Sequence, residues 1–135
     1  MSTKKTALKR RVAGVAAVGA ALLGTTVLTA APAQAAGSWH CKNIGAGDLC
    51  IRTVSNGWDA KYAKYSGTPA NVDFNLTCTG SKDGTWGDGG AFWISPGETK
   101  TYTFSLGRDP YDINTTCMVV LIDLNSRGRW YTDWV

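Results

Sequence analysis

The chain has 135 residues, with 14 Lys and Arg against 10 Asp and Glu, and a formal net charge of +4. Five of the basic residues lie within the first 11 positions, which contain no acid, so residues 36–135 carry 9 basic and 10 acidic residues and a net charge of −1. A near-neutral chain lacks the basic surface that nucleic acid or an anionic membrane requires, so we exclude both as partners of this part of the protein.

The N-terminus has the pattern of a secretory signal peptide. Met1–Arg11 is basic, Val12–Ala30 is an uncharged stretch of 19 residues, and the small residues Ala33 and Ala35 follow. Export machinery and signal peptidase recognise this order of segments, so we predict that residues 1–35 are removed, with cleavage after Ala33 as the alternative. A membrane anchor is the competing interpretation, but a stretch rich in Ala, Gly and Thr is weakly apolar for that role.

The predicted mature domain, residues 36–135, contains all four cysteines of the chain. An even number of cysteines in a small exported domain indicates disulfides, and four cysteines allow three pairings. We predict Cys41–Cys50, because these residues face each other across a short predicted hairpin, and Cys78–Cys117. The absence of a Cys-x-x-Cys pair argues against a zinc site.

Short strand signals alternate with turn signals along the mature domain, and helical periodicity is absent. Asn56-Gly57 predicts a type I′ hairpin turn, and Ser95–Glu98, with Pro and Gly at its centre, predicts a type II turn. Gly80–Gly90 is predicted to be a glycine-rich loop. In chain order, the predicted strands are Trp39–Asn43, Leu49–Val54, Trp58–Tyr65, Val72–Thr79, Ala91–Ile94, Thr101–Leu106, Cys117–Leu124 and Arg129–Val135.

Alternation of apolar and polar residues assigns the faces of several strands. Every second residue from Val72 is apolar as far as Cys78, so Cys78 is predicted to point into the core and to meet Cys117 there. Met118–Ile122 is apolar on both faces, which is typical of a central or fully buried strand. The same alternation points three residues of another strand inward: Tyr102, Phe104 and Leu106.

These patterns predict an all-β protein. The expected architecture is a two-layer antiparallel β-sandwich with Greek-key connections, immunoglobulin-like in outline and held by two disulfides. A small β-barrel is the alternative.

The sequence contains no catalytic constellation. His40 is the single histidine and precedes a cysteine, and no Gly-x-Ser-x-Gly motif supplies a nucleophile for it. Glu98 is the single glutamate and lies in a predicted turn, so we predict a non-enzymatic protein without a cofactor. Calcium deserves consideration because two pairs of aspartates share loops, but no ordered series of ligands is present and no metal site is predicted. The pairs are Asp83 with Asp88 and Asp109 with Asp112.

Aromatic residues are the candidate binding groups, because 6 Trp, 5 Tyr and 3 Phe all lie within the mature domain. Trp86 is predicted at the tip of the glycine-rich loop, where a large ring is hard to bury. Trp130 and Trp134 share one face of the last predicted strand, about 7 Å apart by strand rise. If that face is exposed, the two rings form a platform for sugars, although we expect at least one of them in the core.

A further candidate is the basic and aromatic strand that carries Trp58, Tyr62 and Tyr65. We predict an edge strand protected by lysines, to which a partner could add a strand of its own. The N-terminal arm, Ala36–Trp39, is a candidate for a donated strand.

The export signal, the two predicted disulfides and runs such as Ile94-Ser95-Pro96-Gly97-Glu98-Thr99 resemble the small secreted two-disulfide β-proteins of actinomycetes. That set includes enzyme inhibitors, wall-associated proteins and small adaptors of secreted toxin particles, so the resemblance implies an actinobacterial, extracellular protein. A rigid scaffold with aromatic residues and no catalytic set favours a module that binds an extracellular protein as an adaptor or inhibitor. The alternative is a carbohydrate- or cell-wall-binding module that uses Trp86, Trp130 or Trp134.

Overall fold

A computed structural model describes residues 35–107 and 112–135. The predicted signal peptide, except for its last residue, lies outside the described residues, as does Asp109 of the candidate calcium pairs. The described part is built from short strands: β1 (His40–Asn43), β2 (Gly47–Val54), β3 (Gly57–Lys64), β4 (Ala70–Thr79), β5 (Gly84–Gly87), β6 (Phe92–Ile94), β7 (Thr99–Ser105), β8 (Thr116–Asp123) and β9 (Arg129–Tyr131), with a 3-10 helix at Gly80–Lys82.

The strands form two antiparallel sheets, as predicted, and the sheets do not close into a barrel. The four-stranded sheet has the order β1-β2-β3-β7. The five-stranded sheet has β4 and β8 at its centre and β9 beyond β8, while β5 and β6 share the other side of β4. The chain passes between the sheets from β3 to β4, from β6 to β7 and from β7 to β8, so β7 pairs with β3 and β8 pairs with β4.

The core lies between the inner faces of the two sheets. Val72, Phe74 and Leu76 are buried there, which confirms the face predicted from the alternation of β4. Tyr102 differs from its prediction, because it is 37% exposed and its ring meets Phe104 edge to face. Tyr102 lies on the inner face, opposite Ala60, but β7 is an edge strand and its inner face therefore lies at the margin of the core.

Both predicted disulfides are confirmed. Each one joins residues directly opposite each other on neighbouring antiparallel strands: Cys41 and Cys50 on β1 and β2, Cys78 and Cys117 on β4 and β8. Cys78 and Cys117 belong to the core, as expected from alternation. Cys50 alternates with the core residues on either side of it in β2, so the other disulfide lies on the outer face of its sheet.

The hairpin between β2 and β3 differs from its prediction by one residue. Val54 pairs with Gly57, so the turn is Ser55-Asn56 and Gly57 belongs to β3. Neither turn residue has a positive φ, and the predicted type I′ turn is therefore wrong. Glycine is needed at position 57 for space, because a Cβ there would collide with the carbonyl oxygen of Phe104 on β7. The type II turn at Ser95–Glu98 is confirmed, since Gly97 has a φ of 89°.

Two predictions about sheet edges are corrected. β3 is not an edge strand, because β7 pairs with it on the side opposite β2. The N-terminal arm is bound to its own sheet, where the amide of Gly37 donates to the carbonyl oxygen of Thr53 at 2.8 Å. The ring of Trp39 contacts two cations of that sheet, with the Arg52 Cζ and the Lys61 Nζ each 4.3 Å from its centroid.

The C-terminal segment pairs with β8 beyond the end of β9, but with one extra residue. Thr132 donates its amide to the carbonyl oxygen of Val119 at 3.0 Å, and Val135 then exchanges two hydrogen bonds with Cys117, at 2.8 and 2.9 Å. Two residues of the segment therefore oppose a single residue of β8, which is a β-bulge. The amide of Val119 is satisfied at the bulge by the hydroxyl of Thr132, at 2.9 Å.

Candidate binding sites

Trp86 lies in β5 and not at a loop tip. Leu76 of β4 pairs directly with Trp86, and the indole packs against the edge of the core. The predicted glycine-rich loop Gly80–Gly90 is thus partly ordered into a 3-10 helix and a strand. Gly84 supports this arrangement, because its φ of 149° favours glycine and a Cβ there would lie only 3.1 Å from the indole.

The aromatic side chains of the predicted strand Trp58–Tyr65 are divided between the core and the surface. Trp58 is fully buried and Tyr62 is 4% exposed, which removes both from any surface site in this structure. Tyr65 is 59% exposed, and its hydroxyl donates to Asp48 Oδ2 at 2.9 Å. That hydrogen bond raises the pKa of Tyr65.

Trp130 and Trp134 do not share a face, because the β-bulge lies between them. Trp130 is half-buried against the core, as expected for at least one of the pair. Without the extra residue Trp134 would follow it inward, but Val135 takes that place and Trp134 is 47% exposed. The predicted two-ring platform is therefore absent.

The outer face of the five-stranded sheet presents an apolar surface that the sequence analysis did not identify. Register places Met118, Val120 and Ile122 of β8 on the face opposite the core. Tyr131 lies beside Val120 on β9, and Trp93 lies on the same face at the far side of β4. We call these five residues the apolar outer face. Trp93 is 61% exposed and Tyr131 is 43% exposed, so its two aromatic members are open to solvent.

Two carboxyl groups meet on this side of the sheet, beside Ile122. Burial raises the pKa of Asp73 to about 6, and the hydrogen bond and the negative charge of Asp88 act in the same direction. Asp73 Oδ1 is buried without a hydrogen-bond partner. Asp88 is held by backbone amides, since its two oxygens accept from Phe74 at 3.2 Å and from Gly90 at 3.1 Å. Asp73 therefore keeps its proton up to about pH 6.

A cleft of about 550 Å³ opens at one end of the strands, beside the first residue of β4 and the turn between β8 and β9. Lys64, Asp123 and Trp130 line it together with the exposed residues Asn125 and Ser126. Lys64 is only 4% exposed although its side chain carries a charge. Of these residues only Trp130 was predicted as a binding group.

The described residues offer little for catalysis or metal binding. His40 is exposed at the edge strand β1. Within residues 35–107 and 112–135, no three His, Cys, Asp or Glu residues lie close enough together to hold a metal ion. Asp112 is engaged locally, because it accepts hydrogen bonds from the Thr115 hydroxyl at 2.7 Å and from the Asn114 amide at 3.0 Å. These bonds lower the pKa of Asp112.

The sequence contained a signal for Trp93, a surface residue that the sequence analysis did not identify. Phe92 and Ile94 are large apolar residues of a short strand, so alternation alone would have placed Trp93 on the opposite, outer face. Lys64 gave no such signal, since a lysine near the end of a strand normally extends into solvent.

The fold and these surfaces define a class: a two-layer antiparallel β-sandwich with one disulfide in each sheet and exposed aromatic residues. No protein-family model, no curated protein and no solved structure matches the chain. The two disulfides indicate an oxidising environment, such as the extracellular space. None of the described residues belongs to a helix with the length and apolar character needed to cross a membrane.

Proposed function

We propose that the protein is an exported, non-enzymatic binding module that docks a partner protein on its apolar outer face. The observation that carries this proposal is the row Met118, Val120 and Ile122 on the solvent side of a central strand, with Trp93 and Tyr131 on either side. Residues on the outer face of a sandwich are ordinarily polar, because that face meets water. Val120 is itself only 6% exposed, and the polar outward residues of β4 separate the row from Trp93. The exposed apolar area is therefore formed chiefly by Trp93 and Tyr131, and exposed aromatic residues mark interaction sites.

The chemistry of the face favours a protein partner over a polysaccharide. Sugar platforms rely on aromatic rings set side by side, whereas Trp93 and Tyr131 are separated by the width of β4 and β8. Between the two rings the sheet presents the aliphatic row of β8 and the polar outward row of β4, a mixed surface that suits a protein partner. Trp and Tyr are also the residue types that contribute most to protein interfaces.

Polar groups surround the face as at a typical protein interface. Asp73 and Arg129 lie on either side of Ile122, one on each neighbouring strand. Asn75 lies beside Val120 in the same way. A specific protein interface ordinarily combines apolar and polar groups, and charges of both signs select for a partner with complementary charges.

Export is part of the proposal. The disulfides require an oxidising compartment, and the N-terminal sequence has the order of segments that export machinery recognises. The small secreted β-proteins of actinomycetes that the chain resembles include adaptors and inhibitors, which act by binding other proteins.

The test is a comparison of captures from the culture medium of the producing organism. The bait is the mature protein, and the variant is Trp93→Ser with Tyr131→Ser. The matched control is Tyr65→Ser, because Tyr65 is 59% exposed against 61% for Trp93 and directly follows β3 of the other sheet. We expect one protein to be captured by the wild type and by the control, and to be lost with the double variant.

Three outcomes would overturn the proposal. The first is equal capture of the same protein by the double variant and by the control. The second is recovery of the mature chain from the medium only as a free monomer. The third is its recovery as a dimer of this chain that the double variant abolishes.

A further inference from the structure

The cleft at the end of the strands contains a charged group that is covered by the protein itself. Lys64 is 4% exposed, and its Nζ lies under the turn at Gly67, where a built Cβ would be 3.5 Å from it. Gly67 has a φ of 84°, a conformation that favours glycine and lets the chain turn over the ammonium. Among the described residues, no carboxylate oxygen lies within 4.0 Å of this nitrogen, the limit for an ion pair.

The charge of Asp123 interacts with that of Lys64, but backbone amides already donate hydrogen bonds to the Asp123 carboxylate. Its Oδ1 accepts the amide of Asn125 at 2.8 Å and the amide of Ser126 at 3.2 Å. Burial raises the pKa of Asp123, but these hydrogen bonds and the charge of Lys64 outweigh burial, so that the pKa is lowered overall. Asp123 is thus a fixed anion of the turn between β8 and β9, and it only partly compensates Lys64.

Most of the Lys64 side chain is covered, but the residue lines the cleft and its charge is only partly compensated. An anionic ligand that enters the cleft would complete this compensation. The favourable partner is a carboxylate, which the ammonium binds through charge-assisted hydrogen bonds.

The rest of the cleft suits a ring that carries hydroxyl groups. Trp130 forms one side of the cleft. Its indole packs directly against Gly128, where a Cβ would lie 2.6 Å from the indole Cη2. The apolar face of a sugar ring packs well against an indole. Asp123, Asn125 and Ser126 offer a carboxylate, an amide and a hydroxyl to the hydroxyl groups of a sugar. A volume of about 550 Å³ lies within the usual range for small-molecule sites.

We propose that this cleft binds an acidic sugar of the hexuronate type, with its carboxylate on Lys64 and its ring against Trp130. The site lies apart from the apolar outer face and goes beyond the proposed docking function. It also differs from the sugar platform expected from the sequence, since it uses a single indole and a cation.

The test is a titration of the isotope-labelled mature protein followed by NMR. The probes are D-glucuronate and D-galacturonate, with D-glucose and D-galactose as neutral sugars and acetate as a bare carboxylate. We expect saturable shifts at the amides of Lys64, Asn125 and Ser126 and at the indole N–H of Trp130. Neutral sugars and acetate should each bind at least about tenfold more weakly than the uronates, because the neutral sugars lack the carboxylate and acetate lacks the sugar ring.

Variants assign the role of the cation. Lys64→Met keeps most of the length of the side chain and should abolish the uronate shifts, whereas Lys100→Met, at an exposed lysine of β7, should leave them unchanged. Should Lys64→Met fail to fold, the wild-type map decides, and uronate shifts located away from the cleft overturn the proposal. Equal affinity for glucose and glucuronate, or for acetate and glucuronate, overturns it as well.

The two proposals fail independently. The Trp93→Ser, Tyr131→Ser variant should bind uronate like the wild type, since neither residue lines the cleft. Lys64→Met should still capture the protein partner.

Discussion

Arg52 binds Asp59 through two nitrogens, since its Nε and its Nη2 each lie 2.8 Å from the same carboxylate oxygen, Oδ2. The other oxygen accepts the hydroxyl of Thr103 at 2.6 Å. These three residues lie on β2, β3 and β7, so the carboxylate ties three strands together on the outer face of the four-stranded sheet. The side chain of Asp59 is only 6% exposed, so water contributes little to its stabilisation.

Replacing Arg52 by Met should destabilise the fold by about 3 kcal/mol, because it leaves a buried carboxylate without its cation. The double variant Arg52→Met, Asp59→Leu removes both charges and should lie within about 1 kcal/mol of the wild type. Urea unfolding of the three proteins measures the difference. Equal losses in the single and the double variant would show that the guanidinium acts by packing and not by compensating the charge.

The two disulfides should contribute unequally to stability. Cys78–Cys117 closes a separation of 39 residues and Cys41–Cys50 one of 9, for which loop entropy gives roughly 3.9 and 2.7 kcal/mol. Replacing Cys78 and Cys117 by Ala also opens space in the core, which adds to the loss. We expect the lower urea midpoint for this pair of substitutions than for Ala at 41 and 50. The reverse order would contradict the assignment of the longer cross-link to the core.

The hydroxyl of Thr132 should account for much of the stability of the β-bulge. Thr132→Val keeps the shape but leaves the buried amide of Val119 without its acceptor, at a cost of about 1–3 kcal/mol. Thr132→Ser keeps the hydroxyl and should cost about 1 kcal/mol or less through the lost methyl group. Hydrogen exchange at the Val119 amide separates the two effects: it should accelerate in the Val variant, and similar protection in both variants would refute the role of the hydroxyl.

Asp73 should make the protein more stable in mild acid. Because its folded pKa is about 6 against an ordinary value of 3.8, the folded state holds the proton more tightly than the unfolded chain. Stability should therefore fall as the pH rises from about 4 to about 6 and stay at the lower level above that.

Asp73→Asn should raise the unfolding temperature at pH 7.5 and flatten this dependence. Since the residue is partly exposed, solvent screening reduces the gain to about 1 kcal/mol. The control is Asp83→Asn, at an exposed carboxylate beside the 3-10 helix. If both variants show the same pH profile of the unfolding temperature, the Asp73–Asp88 pair is not the source of the dependence.

Local pattern was sufficient for the parts of the fold that obey alternation. The face of β4 followed from every second residue being apolar, and that face in turn paired Cys78 with Cys117. The type II turn followed from Pro and Gly at its centre. In these places a short run of residues determines the geometry by its own sterics and burial.

The failures occur where a distant strand decides the outcome. The glycine at 57 reads as a turn residue, but its purpose depends on β7, which lies more than 40 residues further along the chain. The bulge that separates Trp130 from Trp134 depends on a hydrogen bond between Thr132 and β8. The buried position of Lys64 depends on how the turn at Gly67 folds over it, which no periodicity encodes.

Each disulfide joins neighbours within one sheet, so no covalent cross-link connects the two layers of the sandwich. Oxidation can therefore secure the pairing inside each layer before the layers meet, and it cannot lock them in a wrong docking. The layers are held together by apolar packing, by the connections of the chain and by the exposed ion pair of Lys42 with Asp133. A solvent that weakens apolar contact would therefore part the layers while leaving both disulfides intact.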